Sequence, residues 1–401
     1  MHKLALVVVL AACAAARIAA ANAIDTFDNS CFPAKAMETG LNFPFSIDRL
    51  SSKVVFGSST LGFGGTGSLV AMPIGGGTVQ TLLTGLAGPV TGVRLTADGQ
   101  TIVVSHGNVN THAIDFYDAN SFAHLAGLTF NYPDANWVHG TSALGIRDDP
   151  NVSGATDLFF NVGSEFGTHV GSLQVSVSGL VNASVDQAAA YELVFSRSGD
   201  SISASALTEI GSGLRNAFGF EPLPNGDLLV TDNADAGRDE LNLIAAGQIG
   251  TTVVNFGFVD INGCYIGQNG QPVGSGCVQP IFAPPTPEAV GATDVVLVPN
   301  GFGNLGGGYL LAYHGLQGSP STQSVILYWN PLTNQTFPFL PNQPNVGHPD
   351  TMLFLDNHHL LIADFSQNGL VGGSGTGTGQ LIEISAAPEP RARCRLSRGW
   401  R

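Results

Sequence analysis

An all-β fold, a six-bladed β-propeller, is predicted by three features of this 401-residue sequence. Six short apolar runs recur, each ending in small or polar residues. Turn sequences such as TADGQ, PLPNG, NLGGG and FLDNH precede several of them. No helical periodicity of useful length interrupts the pattern. The composition agrees: 52 Gly and 22 Pro punctuate a chain that is 44% apolar and only 11% charged, which suits many short strands joined by tight turns.

In order, the runs are KVVFGSS, TIVVSHG, DLFFNVGS, DLLVTDN, YLLAYHG and HLLIADF. They begin at 53, 101, 157, 227, 309 and 359, so the spacings are 48, 56, 70, 82 and 50 residues. A further strand-like segment follows each run: SLVAMPI, AIDFYD, SLQVSVS, ELNLI, VILYWN and QLIEIS. Blades of four short strands recur at about this spacing, and the wider gaps leave room for insertions. Radial repetition also protects sheet edges. The ends of equivalent strands then gather around one central channel, which brings Ser58, His106, Ser164, Asp232, His314 and Asp364 to one face. A β-sandwich or β-helix with irregular loops is the alternative architecture.

Residues 1–23 read as a secretory signal, with a basic start, an apolar stretch too short to span a bilayer, and an A-x-A end at Ala21–Ala23. The mature chain is therefore expected to be secreted, periplasmic or extracellular. LAAC at Leu10–Cys13 also resembles a bacterial lipoprotein box. The propeller domain is expected over 24–387, followed by an Arg-rich tail, 388–401, without regular structure. That tail resembles a PEP-type sorting signal lacking its apolar helix. Cys264 with Cys277 is the expected disulfide, and Cys31 with Cys394 would tie the ends together. Sequons stand at Asn151, Asn182 and Asn334, glycosylated only in a eukaryotic host.

Charge excludes one class of partner. Seven of the fifteen cations lie outside 24–390, leaving eight against thirty acids, a net of −22. Phosphate backbones need the opposite sign, so nucleic acid is excluded as a partner. From Asp239 to Pro390 there is no Lys or Arg at all.

The densest polar stretch is TDNADAGRDELN, 231–242. Asp235, Asp239 and Glu240, with Asp232 nearby, offer the carboxylate oxygens that Ca²⁺ prefers. The same stretch reads equally as an Asx-rich turn with Arg238 paired to a carboxylate. GFGGTG and GGSGTGTG open no helix after a strand, so they read as hairpin loops rather than phosphate cradles. His106 and His314 end equivalent runs and each reads alone as structural, whereas His358–His359 beside a turn reads as surface.

GLRNAFGFEPLPNGDLLVTDNADAGRDELNLI, 213–244, resembles the soluble glucose/sorbosone dehydrogenase family of quinoprotein propellers, with its G-x-R-N-x-x-G turn and D-E-[LI]-N-x-I element. NWVHGTSALGI, DLFFNVGSEFG and GHPDTMLFLDNHHLLIADF are similar to other parts of that family in the same order, from about 50 to 385. The resemblance implies oxidation of a small-molecule sugar or alcohol with pyrroloquinoline quinone (PQQ) and Ca²⁺. It implies His139 as general base on the substrate hydroxyl, and Arg215, Asn216 and Asp232 at the cofactor. A neutral imidazole suits the first role and a guanidinium fork suits carboxylate and quinone oxygens. The chain departs from the family where Thr141 and Ser142 replace a Gly pair and Ser164 replaces an Asp. It also lacks the family's further cations in the last blades. A non-catalytic propeller that binds carbohydrate or protein, and a Ca²⁺-dependent lactonase-like hydrolase, are the other functions such a scaffold carries.

Overall fold

The computed structural model describes residues 31–62, 64–108, 110–133, 139–165, 174–233, 239–258, 265–266, 272–273, 276–284, 290–315, 325–339, 347–366 and 376–386. Among the described residues the named elements are all strands; six sheets form the blades, and Tyr265–Ile266 pairs apart from them with Pro272–Val273. Blade one is Ile47–Leu50, Lys53–Leu61, Gly64–Pro73 and Gln80–Ala87, paired in chain order. Blade two runs Val90–Leu95, Thr101–Gly107, Thr111–Asp118 and His124–Asn131. Blade three is Leu144–Asp148, Ala155–Val162, Ala189–Ser198 and Ser201–Ser212. Blade four holds Ala217–Pro222, Leu228–Asp232 and Glu240–Ile244, its outer edge bridged by Phe282 to Leu241. Blade five is Ala292–Leu297, Tyr309–Tyr313, Val325–Asn330 and Gln335–Phe339.

Blade six combines both ends of the described chain. Pro349–Phe354, His359–Asp364 and Gly379–Ser385 pair in order, and Ala34–Leu41 adds the outermost strand, with Ala34 opposite Ile384. That pairing closes the ring, because the first and last strands of the described chain lie in one sheet. Phe32 reinforces the closure from below, buried against Phe302 and Phe339.

The six apolar runs are the second strand of each blade, not the innermost. The innermost strands are Ile47–Leu50, Val90–Leu95, Leu144–Asp148, Ala217–Pro222, Ala292–Leu297 and Pro349–Phe354, each touching the next around the axis. Second strands are covered on both faces by neighbouring blades, which explains their unbroken apolar character: Thr101–Gly107 and Leu228–Asp232 are buried throughout. Inner strands mix apolar with polar residues, as in IDRL and PDTMLF, so they read weakly in sequence.

SLQVSVS is a second correction. It was expected to continue blade three, but Val175–Gly179 pairs instead with His124–Asn131 and, with Ala183–Val185, extends blade two to six strands. Val175, Val177 and Val185 join the apolar cluster of Leu128 and Phe130, and this burial decides the pairing.

Two arginines fasten blades to one another. Arg147 of blade three binds Asp157 at 2.8 Å and the Gly226 carbonyl of blade four at 2.7 Å. Arg197 of blade three reaches Asp118 and the Gln100 carbonyl of blade two. At the crossover from blade one to blade two, Gly88 has φ +77° and a Cβ there would overlap the Gly107 carbonyl, so only glycine fits. Among the described residues no helix is long and apolar enough to cross a membrane. Both expected disulfides involve a residue, Cys264 or Cys394, outside the described set.

Candidate functional site at the channel mouth

The turns that lead into the inner strands gather at one mouth of the channel. Asp232, ending the second strand of blade four, is 2% exposed. Its Oδ2 accepts the Arg215 N–H at 3.0 Å and its Oδ1 the Asn216 N–H at 2.8 Å. Burial pushes this carboxyl up to about 6, against the pull of those two N–H groups and the Arg215 charge. The Arg215 carbonyl accepts the Ser164 N–H at 2.9 Å, and the Ser164 carbonyl accepts the His139 N–H at 3.1 Å. One continuous chain of hydrogen bonds therefore positions residues from blades three and four together.

His139 is oriented by the same serine. Its Nδ1 lies 3.1 Å from the Ser164 carbonyl and 3.3 Å from Ser164 Oγ. A carbonyl only accepts, so Nδ1 carries the proton and Nε2 is the acceptor nitrogen of a neutral ring. Burial, helped by the nearby Arg215 charge, lowers His139 to about 4, so the ring is neutral at ordinary pH. Arg215 donates from Nη1 to the Asn233 carbonyl at 2.8 Å. Asn216 is 7% exposed, and its Oδ1 has no hydrogen-bond partner.

Behind His139 the packing is tight. Tyr132 donates to the Gly163 carbonyl at 3.3 Å, and its ring meets His112 edge-on. A Cβ on Gly140 would overlap the His112 ring, and one on Gly163 would overlap the His139 backbone. Gly163→Ala should therefore cost roughly 1–3 kcal/mol of stability and displace His139. Chemical denaturation checks the first effect; an unchanged midpoint would show that the turn yields without cost.

The sequence-predicted residues thus divide. His139, Ser164, Arg215, Asn216 and Asp232 come together, with Asp232 holding backbone rather than facing the channel. Asp235 lies outside the described residues. Asp239, fully buried, uses Oδ2 to accept the Ala292 N–H of blade five at 2.9 Å. Glu240 pairs across the strands with Asp232, and burial together with Asp232 and Asp239 pushes it well above the usual carboxylate range. Among the described residues no group of three His, Cys, Asp or Glu side chains is placed to hold a metal ion.

Sequence reasoning brought His314 and Asp364 to this face but missed the partners that hold two groups together. Glu165, fully buried, exchanges hydrogen bonds with Gln187: its N–H donates to Gln187 Oε1 at 2.8 Å, and Gln187 Nε2 donates to Glu165 Oε2 at 2.9 Å. Across the mouth, His314 and His348 stack at 4.1 Å and 7°, His348 Nδ1 donates to the His314 carbonyl, and His314 Nδ1 meets Asp350 Oδ1 at 2.6 Å. Burial lowers His314 to about 4 and raises Asp350 above the usual carboxylate range. Asp364 repeats the part of Asp232: it accepts the N–H of Gly347 at 3.1 Å and of His348 at 2.8 Å. The signal was the recurring aspartate at the end of a second strand, TD in blade four and AD in blade six.

These buried groups set the pH dependence of stability. His112, His139 and His314 are lowered to about 4, so between 6.5 and 4 the unfolded chain binds more protons and these groups reduce stability as pH is lowered. Burial raises Glu192, Glu209 and Glu221 to about 7 and Asp232 and Asp294 to about 6, which acts in the opposite direction over the same window. The raised carboxyls outnumber the histidines. The melting temperature should therefore rise as pH falls from 8 to about 5.5; a monotonic fall in differential scanning fluorimetry would contradict this balance.

No protein-family profile matches the chain, and no curated protein matches it. Solved structures do. The PQQ-bound aldose sugar dehydrogenase of Streptomyces coelicolor superposes with TM-score 0.58 at 15% identity, covering 90% of this chain and 99% of that one. The holo PQQ domain of pyranose dehydrogenase from Coprinopsis cinerea gives 0.56 at 13% identity, covering 90% and 96%. A calcium structure of a Trichoderma reesei carbohydrate-active enzyme of family AA12 gives 0.51 at 15% identity, covering 92% and 100%. At these identities the likeness establishes the propeller fold.

Proposed function

We propose that this protein is an oxidoreductase that oxidises a sugar or related alcohol, using a PQQ-type quinone at the mouth formed by blades three and four. The observation that carries the reading is the oriented, neutral His139, whose Nδ1 faces the Ser164 carbonyl, which makes Nε2 the acceptor nitrogen of the ring, with the Arg215 charge nearby. Nε2 would take the substrate hydroxyl proton as the carbinol C–H leaves as hydride, giving the carbonyl product. Arg215 disfavours the imidazolium and so keeps the base in its working form. The fold shared with PQQ-binding sugar dehydrogenases supports the same reading.

The residues present fit the quinone at two points. Arg215 offers a guanidinium fork, and Asn216 offers a buried amide whose Oδ1 has no hydrogen-bond partner. When bound, the quinone supplies the two-electron acceptor. The described carboxylates fit Ca²⁺ less well, since Asp239 is tied to the Ala292 N–H and burial holds Glu240 well above the usual carboxylate range. We place the enzyme outside the cytoplasm on the character of residues 1–23. Quinone binding, followed by fluorescence quenching, tests the proposal before any turnover is sought. Saturable binding weakened by Arg215→Met supports it; no binding at all returns the protein to a non-catalytic, ligand-binding propeller.

A further inference from the structure

The channel has a second mouth, where the inner strands end, about 15–20 Å along the axis from His139 at some 3.3 Å per strand residue. Aromatic rings separate the two. Phe45 before blade one, Phe218 of blade four and Phe365 of blade six meet across the axis, with centroids 4.5 Å apart for Phe45–Phe365 and 6.3 Å for Phe45–Phe218. Below them lies a cavity of about 240 Å³. Asp48 of blade one, Arg94 of blade two and Glu221 of blade four face it, and Val296, Met352 and Phe354 of blades five and six supply apolar wall.

The polar groups of this cavity do not satisfy one another. Arg94 donates from Nη1 to the carbonyls of Val93 at 2.9 Å and Ile47 at 3.4 Å, and forms no ion pair among the described residues. Asp48 accepts the N–H groups of Arg49 at 2.6 Å and Leu95 at 2.7 Å, and Glu221 Oε1 accepts the Leu297 N–H at 3.3 Å. Each keeps acceptor capacity, since a carboxyl oxygen holds two lone pairs. Donor and acceptors therefore stand apart around a space with apolar walls.

We infer that this far mouth is a binding site for a small, neutral, polyhydroxylated molecule such as a monosaccharide or cyclitol. An anion would face Asp48 and Glu221, with Asp294 behind them; a cation would face Arg94. A hydroxyl both donates and accepts, so adjacent hydroxyls on one ring satisfy Arg94 and the carboxyls together. The ring's C–H faces match Val296, Met352 and Phe354. The site is independent of the oxidation proposed at the other mouth and stands or falls without it.

The test is ligand-observed NMR on the full chain with myo-inositol and D-glucose, using choline, Mg²⁺ and acetate as charged controls. Saturable polyol binding is expected, weakened at least about tenfold by Arg94→Met through loss of charged hydrogen bonds, and kept in Arg215→Met. If Arg94→Met does not fold, Leu297→Trp, which fills the cavity from its half-buried rim, must abolish binding. Binding that survives Arg94→Met or Leu297→Trp but is lost in Arg215→Met would place the polyol at the opposite mouth and overturn the inference. So would preference for a charged control, or no saturation on the order of 100 mM.

Discussion

Replacing His139 by glutamine is expected to lower quinone-dependent oxidation by about 10²–10⁴-fold while leaving the protein folded, the range a positioned general base contributes. Glutamine keeps a donor for the Ser164 carbonyl but offers no titratable acceptor where Nε2 stands. The expected split is a loss in kcat with KM little changed, since the imidazole works on the proton in the transition state rather than on ground-state binding. The pH profile carries a second signature. Because burial and Arg215 hold His139 at about 4, the acid limb belonging to this base lies near that value in the free enzyme, well below the ordinary imidazole range. Neutralising the nearby charge with Arg215→Met should move that limb upward. Dye-linked turnover from pH 4 to 8 reads both effects. A glutamine variant with undiminished kcat, or an acid limb that ignores Arg215, would remove His139 from the chemistry.

Asp232→Ala is expected to cost about 2–4 kcal/mol of stability, because it leaves two buried N–H groups, of Arg215 and Asn216, without an acceptor at roughly 1–3 kcal/mol each. Asp232→Asn keeps one acceptor oxygen and should lose about half as much. Urea unfolding measures both. A midpoint within about 0.5 kcal/mol of wild type for the alanine variant would show that water replaces the carboxylate without penalty. Asp364→Ala is the matched control: the same device holds Gly347 and His348 in blade six, so it should cost a similar amount. Only Asp232→Ala should also loosen Arg215, and with it Ser164 and His139. A larger rise in quinone Kd for the Asp232 variant than for the Asp364 variant is therefore expected.

The repeat was legible because second strands are covered on both faces, and such burial writes itself as unbroken apolar runs such as TIVVSHG and DLLVTDN. Inner strands such as Ala217–Pro222 escaped notice, since AFGFEP mixes apolar residues with Gly, Glu and Pro and makes no such run. SLQVSVS looked like a strand and is one, but its apolar alternation carries no record of which blade it joins. At the site, GLRN and the aspartate of TDN stood out by composition and resemblance. Glu165 with Gln187, and His314 with His348 and Asp350, stayed hidden because each pairing joins residues far apart in the chain.

The six runs and their turns by themselves determined a ring of six blades and a polar mouth where the second strands end. TDNADAGRDELN was part of that, whatever its chemistry. Tertiary structure alone decided that Ala34–Leu41 closes blade six, that Asp232 holds the Arg215 turn and that Ser164 selects the His139 tautomer. It also decided that phenylalanines divide the channel into two mouths. The reason is physical: periodicity along a chain records how deeply a side chain is buried, whereas its hydrogen-bond partner depends on which distant backbone the fold brings alongside.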